Sequence, residues 1–513
     1  MADLAHWAAE TPDAPAIVAE TGTCTFAELD ANTNRLARAL RARGLVAGDA
    51  VALIAGNHPA FVETFTACIR AGFRLTPVNW HLTGDEASYI VTDCEAKALV
   101  ATADVADMAA ACLTATPTCN VALMALGGRE RSERFESYED ALAAESPDPL
   151  PDPTLGHTML YTSGTTGRPK GVHRPPATTP PATANLGGYN ETGGDVHLCT
   201  GPLYHAAPLA FSLNIPLSFG ATVVVMDKWD PEETLRLIDE HGVTHTHMVP
   251  TMFHRLLSLP DDVRGKYDLS TLRFVLHGAA PCPVPVKRRI IEWFGPIVWE
   301  YYAATEGVGS FVDSKTWLEH PGTVGRPYLP EQVIIGDDEG NQLPTGEIGL
   351  VYLKSPGATR FDYFKDEDKT ASVFRGDYFT LGDVGFLDED GFLHLTDRTA
   401  NLIISGGVNI YPAEVDAVLL EHAAVGDAAV IGVPDEEWGE AVLAVIELKP
   451  DVEPSDALAR ELLDFCRDNL AHYKCPREIE FVDTLPREDN GKIYKRRLRE
   501  TYRALRSSAG GTT

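Results

Sequence analysis

Apolar residues recur along most of the chain in two alternating periods. Positions 27–44 carry them at helical spacing, with Thr25 placed to cap the start and Gly44 to stop the run. The unbroken apolar run at 51–56 predicts a short buried strand, 58–72 a second helix ending at Gly72, and 74–79 and 97–102 further strands. The rhythm resumes later: a helix over 231–242 with Pro231 in its first turn, a strand at 244–250, a strand at 272–280 running into a glycine turn, a helix over 284–295, and a strand at 296–307 running into a loop. Strands alternating with helices predict sheets covered on both faces, here two doubly wound α/β subdomains. In such sheets ligands sit beyond the carboxyl ends of the strands.

From 322 to about 396 the pattern changes to short strands and D-x-x-G turns, predicting a small β unit. Beyond 397 it becomes mixed: a strand, a helix over 412–421, two strands, a helix over 456–470 and a strand at 478–482, the content of a small α+β domain. The expected division is a large domain over 1–397 and a smaller one over 398–513. No repeat of solenoid period is present.

At 513 residues the chain can bury several cores, and its 44% hydrophobic and 23% charged content is that of an ordinary globular protein. The net charge of −31, from 74 acidic against 43 basic residues, argues against a nucleic-acid binder or a polybasic membrane-surface protein. Nine cysteines show no C-x-x-C pair or metal-ligand spacing, which fits reduced thiols in a cytoplasmic protein. The first residues hold no basic region followed by an apolar run, so no signal peptide is expected. The stretch 196–226 lacks Asp, Glu, Lys and Arg and is long enough to span a bilayer. Pro202, Pro208, Pro216 and the glycines and histidines among them predict instead a buried helix followed by a strand at 221–226, with no transmembrane segment.

The densest chemistry is YTSGTTGRPKG at 161–171. Thr162, Ser163, Thr165 and Thr166 supply hydroxyls, Gly164, Gly167 and Gly171 allow close backbone approach, and Arg168 and Lys170 supply charge. Such a loop suits a polyphosphate. It is not the common G-x-x-x-x-G-K-[ST] nucleotide loop: Gly164 and Gly167 are too close, Pro169 intervenes, and the following residues are too rich in proline and glycine for a helix. A loop, not a helix N-terminus, would hold the phosphates.

Further along stand PLYHAAP at 202–208, HGAAP at 277–281, YYAATEG at 301–307, YFTLGDVG at 378–385, DRTANLIISGGVNIYPAEV at 397–415 and LPREDNGKIYKRRLR at 485–499. Together with TSGTTGRPKG these resemble, in order and over nearly the whole chain, the signatures of the adenylate-forming family: acyl-CoA synthetases, peptide-synthetase adenylation domains and firefly-type luciferases. The resemblance implies a small C-terminal domain that rotates between two half-reactions. It implies ATP, magnesium and coenzyme A as reaction partners of a small-molecule carboxylic acid. An ionised carboxylate needs no general base, so the obstacle is bringing an anion to a polyanion, which calls for aimed cations.

Residue by residue, the resemblance assigns the triphosphate to Thr162–Gly167 and Lys170, the α-phosphate to Thr305 and magnesium to Glu306. The nucleotide falls to Gly278, Ala279 and Ala280, whose turn lines the adenine edge, and to the stretch Glu300, Tyr301, Tyr302 and Ala303, with Tyr302 stacking on the base. The ribose goes to Asp383 and Arg398, the approach of the thiol to Gly406 and Gly407, and Lys492 reaches the carboxylate and α-phosphate in the first step. His205 would lie near the entering carboxylate. Three positions depart from the family pattern: Ala303 replaces a glycine and Tyr301 a smaller residue, both facing the region where the acyl group would enter and so bearing on the width of its tunnel, and Ala400 replaces the usual Asp or Lys of the hinge. Lys495, Arg496, Arg497, Arg499 and Arg503 read mainly as a solvated helix face, with CoA phosphates as a secondary partner.

The acid pocket is expected along the charge-free run 206–217 with Val249, Thr251, Gly278 and Ala304, and it is apolar. The expected substrate is a medium- or long-chain fatty acid, with an aryl or steroid side-chain acid as the alternative. The expected acceptor is CoA, with a carrier protein as the alternative and a non-catalytic nucleotide-binding relic as the remote one. Assembly as a homodimer is left open.

Overall fold

The computed structural model describes residues 2–127, 133–162, 168–175, 185–355, 357, 360–398, 401–405, 408–435, 438–487 and 493–509. Ser163, Gly164, Thr165, Thr166, Gly167, Ala400, Gly406, Gly407 and Lys492 therefore lie outside the described residues, and of Arg398 only the backbone is described.

Two doubly wound α/β sheets form the large part of the molecule. One is six-stranded and wholly parallel, in the order Glu136–Ser137, Val121–Ala125, Ala96–Thr102, Ala50–Ile54, Arg74–Val78, His157–Thr158. The other is nine-stranded. Its parallel centre runs Val298–Ala304, Phe274–His277, His245–Met248, Val196–Cys199, Thr222–Val225, Pro15–Ala19, and antiparallel strands close both edges. Helices cover both, and their ends follow the local chemistry. Helix Phe26–Ala42 starts at Thr25, whose hydroxyl accepts from the Glu28 N–H at 3.2 Å while the Glu28 carboxylate accepts from the Thr25 N–H at 2.8 Å. Its buried face carries Leu29, Leu36 and Leu40. Helix Pro59–Ala71 ends at Gly72 in the left-handed conformation, φ 84°.

The small β unit is a five-stranded antiparallel sheet built on Gly349–Lys354, Tyr378–Leu387 and Leu393–Arg398. The remaining chain forms a second five-stranded sheet around Val425–Asp435 and Gly439–Leu448, with helices Pro412–Leu419, Asp456–Asn469 and Lys495–Ala509. Its ladder is antiparallel except where Glu478–Val482 joins in parallel.

The charge-free stretch differs from its sequence reading in one respect. It opens with the strand Val196–Cys199, continues as a π-helical turn Pro208–Asn214 and a short helix Ile215–Ser218, and ends in the expected strand, Thr222–Val225. Three prolines prevent one long helix. Among the described residues no helix is long and apolar enough to cross a membrane.

Register sorts the nine-stranded sheet into two faces. His197, His245 and Phe274 are aligned, as are His247, Leu276 and Trp299, and side chains of this parity face the π-helical turn. Met248, His277 and Glu300 are aligned one residue on and point the other way, towards helix Val284–Phe294.

Candidate active site

The strand Leu160–Thr162 pairs antiparallel with Lys170–His173, with Lys170 opposite Thr162. Both ends of the phosphate-type loop are thereby fixed by one ladder. Lys170 Nζ lies 2.5 Å from Asp366 Oδ2. This contact raises the lysine pKa and lowers that of the aspartate, so the lysine is charged and held at the loop's exit.

The same hairpin braces the Thr305–Glu306 turn. Arg174, one residue past the strand, donates to the carbonyls of Thr305 at 3.0 Å and Glu306 at 2.6 Å. Asp362–Tyr363 adds a third strand by pairing with Val172 and His173, and the Tyr363 hydroxyl donates to Glu306 Oε1 at 2.9 Å. Glu306 is buried. A buried carboxylate steadied by a neutral donor fits a magnesium ion, which takes one or two protein carboxylates and completes its shell with water and substrate phosphate. Among the described residues no group of three or more His, Cys, Asp or Glu forms a protein-only cage.

Two other candidate residues, distant in sequence, meet directly: the Tyr302 hydroxyl donates to Asp383 Oδ2 at 2.7 Å. Tyr302 reaches Asp383 across Gly309, where an added Cβ would stand 2.5 Å from Tyr302 Cδ1. Asp383 is buried, and the backbone of Arg398 lies opposite it in the ladder. Beside them, the HGAAP turn leaves the strand Phe274–His277. Ala279 adopts φ 68°, a left-handed conformation that costs a residue with a Cβ about 1 kcal/mol or more. Strain of this kind concentrates where the backbone must present specific groups.

Glu300 is a correction. Its side chain lies on the opposite face from Tyr301, buried and ion-paired to the equally buried Lys287, with His277 Nε2 3.7 Å away. Period-two alternation dictates this, so its carboxylate holds helix Val284–Phe294 to the sheet and does not face a base. Burial raises the Glu300 pKa against the opposing pull of Lys287 and drives that of His277 well below its ordinary value.

Tyr301 turns to the face of the π-helical turn. Its ring centre is 4.9 Å from that of Phe211, and its hydroxyl is 3.0 Å from His247 Nε2. It also fills the space at Gly278, where an added Cβ would come within 2.6 Å of Tyr301 Cε1. His205 is half-buried where the turn begins, its carbonyl accepting from the Leu209 N–H at 3.0 Å. Thr162, Lys170, Thr305 and Glu306 are thus held together through one hairpin and Tyr302 meets Asp383, while Gly278 and Tyr301 meet beside Phe211 and His205 stands at the start of the same π-helical turn. Arg174, Tyr363, Asp366 and His247 were not singled out from sequence. Only the proximity of Arg174 to the glycine-rich stretch could have pointed to any of them.

Residues 4–361 match the AMP-binding enzyme family and residues 414–492 the AMP-binding enzyme C-terminal domain. The chain is 34% identical over 501 residues to a feruloyl-CoA synthase of Amycolatopsis sp, covering 96% of each. It is 33% identical over 504 residues to a fatty acid–[acyl-carrier-protein] ligase of Streptomyces coeruleorubidus, covering 96% of this chain and 94% of the other. Its fold is similar to a crystal structure of an anthranilate CoA ligase in complex with anthranoyl-AMP: TM-score 0.86, 26% identity, 99% of this chain and 97% of the other covered.

Proposed function

Because the chain belongs to the AMP-binding enzyme family, in which adenylates are formed, we propose that it is an ATP-dependent acid–CoA ligase and that its acid is aromatic. In the first half-reaction a carboxylate oxygen bonds to the α-phosphorus as the bond to the bridging oxygen of pyrophosphate breaks. In the second, the CoA sulfur bonds to the acyl carbon, the thiol proton leaves and AMP departs. Tyr302 and Asp383 hold the adenosine end, and the loop up to Lys170 holds the phosphates. Thr305 contacts the α-phosphate, and Lys492 supplies the positive charge that lets one anion approach another. His205 stands by the incoming carboxylate. Glu306 would hold a magnesium ion, which supplies charge neutralisation at the phosphates. The junction at Ala400 serves as the pivot between the domains, so that Lys492 can withdraw before the thiol enters past Gly406 and Gly407.

One observation carries the choice of acid. The Tyr301 phenol is wedged against Gly278 and Phe211 and tied to His247, and on this reading it narrows the acid site to a flat slot. That geometry favours a compact, flat acid over the medium- or long-chain fatty acid expected from sequence. Similarity to enzymes named for feruloyl, 2-succinylbenzoate and indoleacetate substrates supports the same choice. Acid-dependent pyrophosphate exchange, run on aryl and straight-chain acids and repeated with CoA, tests the reading. Aryl acids should exchange fastest, and the thioester should form only when CoA is supplied. Fastest exchange with a long-chain acid would overturn the aromatic assignment. An acyl group reaching a carrier protein but not CoA would overturn the acceptor. Lys492→Ala should slow adenylate formation on the order of a hundredfold while sparing thioester formation from supplied acyl-adenylate.

A further inference from the structure

Behind the Tyr301 ring, the sheet face under the π-helical turn does not close on hydrocarbon. A cavity of about 10 Å³, room for roughly one water, lies among Tyr189, His197, Phe211, Thr246, His247 and Phe274. His197 is 2% exposed. Its Nδ1 lies 2.7 Å from the Tyr189 hydroxyl, and its Nε2 is buried with no hydrogen-bond partner. Tyr189 is itself fixed by stacking on His245, ring centres 3.9 Å apart.

The proton on His197 can be placed by counting. The ring is neutral, because burial and the neighbouring His245 and His247 hold its pKa far below the usual value. A neutral imidazole has one N–H and one acceptor nitrogen. If the Tyr189 hydroxyl donates to Nδ1, the proton sits on Nε2, and that single N–H is the only group unmade. If Nδ1 donated instead, the tyrosine proton and the Nε2 lone pair would both lack a partner. Unmade buried groups are costly, so the first arrangement prevails. The cavity is therefore bordered by one donor awaiting an acceptor.

We infer that His197 is a specificity-determining residue, its Nε2–H donating to a neutral oxygen (hydroxyl, ether or carbonyl) at the far end of an aromatic acid. The inference rests on the aromatic reading given above. His197 is in register with His245 and Phe274, four residues before Gly278, so it lies about 13 Å back along the sheet at ~3.3 Å per residue. Phe211 stands between, on a π-helical turn, an irregular winding that recurs at functional sites. A flat acid reaches His197 along the sheet face past the edges of Phe211 and Tyr301, and its oxygen takes up the space of about one water. An acid lacking that oxygen leaves the donor unpaired, and a polar contact of this kind discriminates more strongly than an extra methylene does. A second carboxylate would bring a charge to a place where the described lining holds no Lys or Arg, and is rejected.

The test compares cinnamate with 4-hydroxy- and 4-methoxycinnamate in pyrophosphate release by the full-length enzyme. The oxygenated acids should show kcat/KM about ten- to a hundredfold higher. His197→Phe should abolish the preference by slowing only the oxygenated acids, with the ATP KM unchanged. His197→Gln, which keeps an N–H there, should retain part of it. Equal kcat/KM across the set in the unmodified enzyme overturns the inference, as does a His197→Phe variant that slows all three alike. Should His197→Phe fail to fold, the unmodified enzyme's ratio and His197→Gln decide. If straight-chain acids react and no cinnamate does, the aromatic reading falls and takes this inference with it. If all cinnamates react equally, only the role of His197 falls.

Discussion

Replacing Tyr301 with alanine should lengthen the acid the enzyme accepts. The side chain is 3% exposed and wedged between Phe211, Gly278 and His247. Truncating a buried aromatic costs about 3–5 kcal/mol, and the abandoned His247 nitrogen adds about 1 kcal/mol or more. A folded protein holds about 5–15 kcal/mol in all, so the variant should fold but unfold at markedly lower denaturant. The vacated phenol leaves room for about four methylenes. At about 0.8 kcal/mol for each CH₂ buried, that is about 3 kcal/mol of new transfer free energy, on the order of a hundredfold in kcat/KM. The assay is pyrophosphate release over straight-chain acids of increasing length, with urea unfolding alongside. In the unmodified enzyme kcat/KM should drop beyond short chains, and in Tyr301→Ala the drop should move to longer ones. A folded variant with an unchanged chain-length profile would refute the view that this ring is the wall.

Tyr302→Phe removes the hydroxyl that steadies Asp383. Losing one such bond, about 1 kcal/mol, should raise the ATP KM roughly fivefold and leave thioester formation from supplied acyl-adenylate unchanged. Lys287→Met strands the buried Glu300 carboxylate and should destabilise the protein by about 3–5 kcal/mol in urea unfolding, whereas Glu300→Gln should cost less. Acid should weaken the fold well before carboxylates protonate. Burial lowers the pKa of His245 and of His247 to about 4. Below about 6.5 the unfolded chain takes up protons that the folded chain refuses, so stability is full above 6.5 and falls steadily as pH drops towards 4. His247 alone should account for about 3 kcal/mol by pH 4, and a urea midpoint flat between pH 7 and 4.5 would contradict this.

The alternation of apolar periods was enough to read two wound sheets, because buried parallel strands and amphipathic helices leave unmistakable spacing. It also located the caps at Thr25 and Gly72, where one residue decides the geometry. Tyr302 and Asp383 were nameable separately through their motifs, but their hydrogen bond spans 81 positions and no local pattern encodes it. Tyr363 illustrates the same limit: only the third strand laid beside Lys170–His173 brings its hydroxyl to Glu306. The helix-anchoring ion pair of Glu300 is not legible in its motif, because a motif groups neighbours along the chain, whereas a strand sends neighbours to opposite sides. Nothing local in the sequence brings His197 to His245, since the sheet register that sets them side by side comes from tertiary pairing.

The strand Val298–Ala304 separates two tasks by parity. Tyr301 packs on Phe211, on the side proposed for the acid, while Glu300 anchors a helix and Tyr302 reaches Asp383, the proposed ribose contact. Positions a single peptide bond apart thus meet different physical demands. A lineage can trade one carboxylic acid for another by rewriting odd-numbered side chains, and its grip on the energy-rich partner is left alone. Diversification of this scaffold towards new acids is, on this view, a matter of arithmetic along one strand.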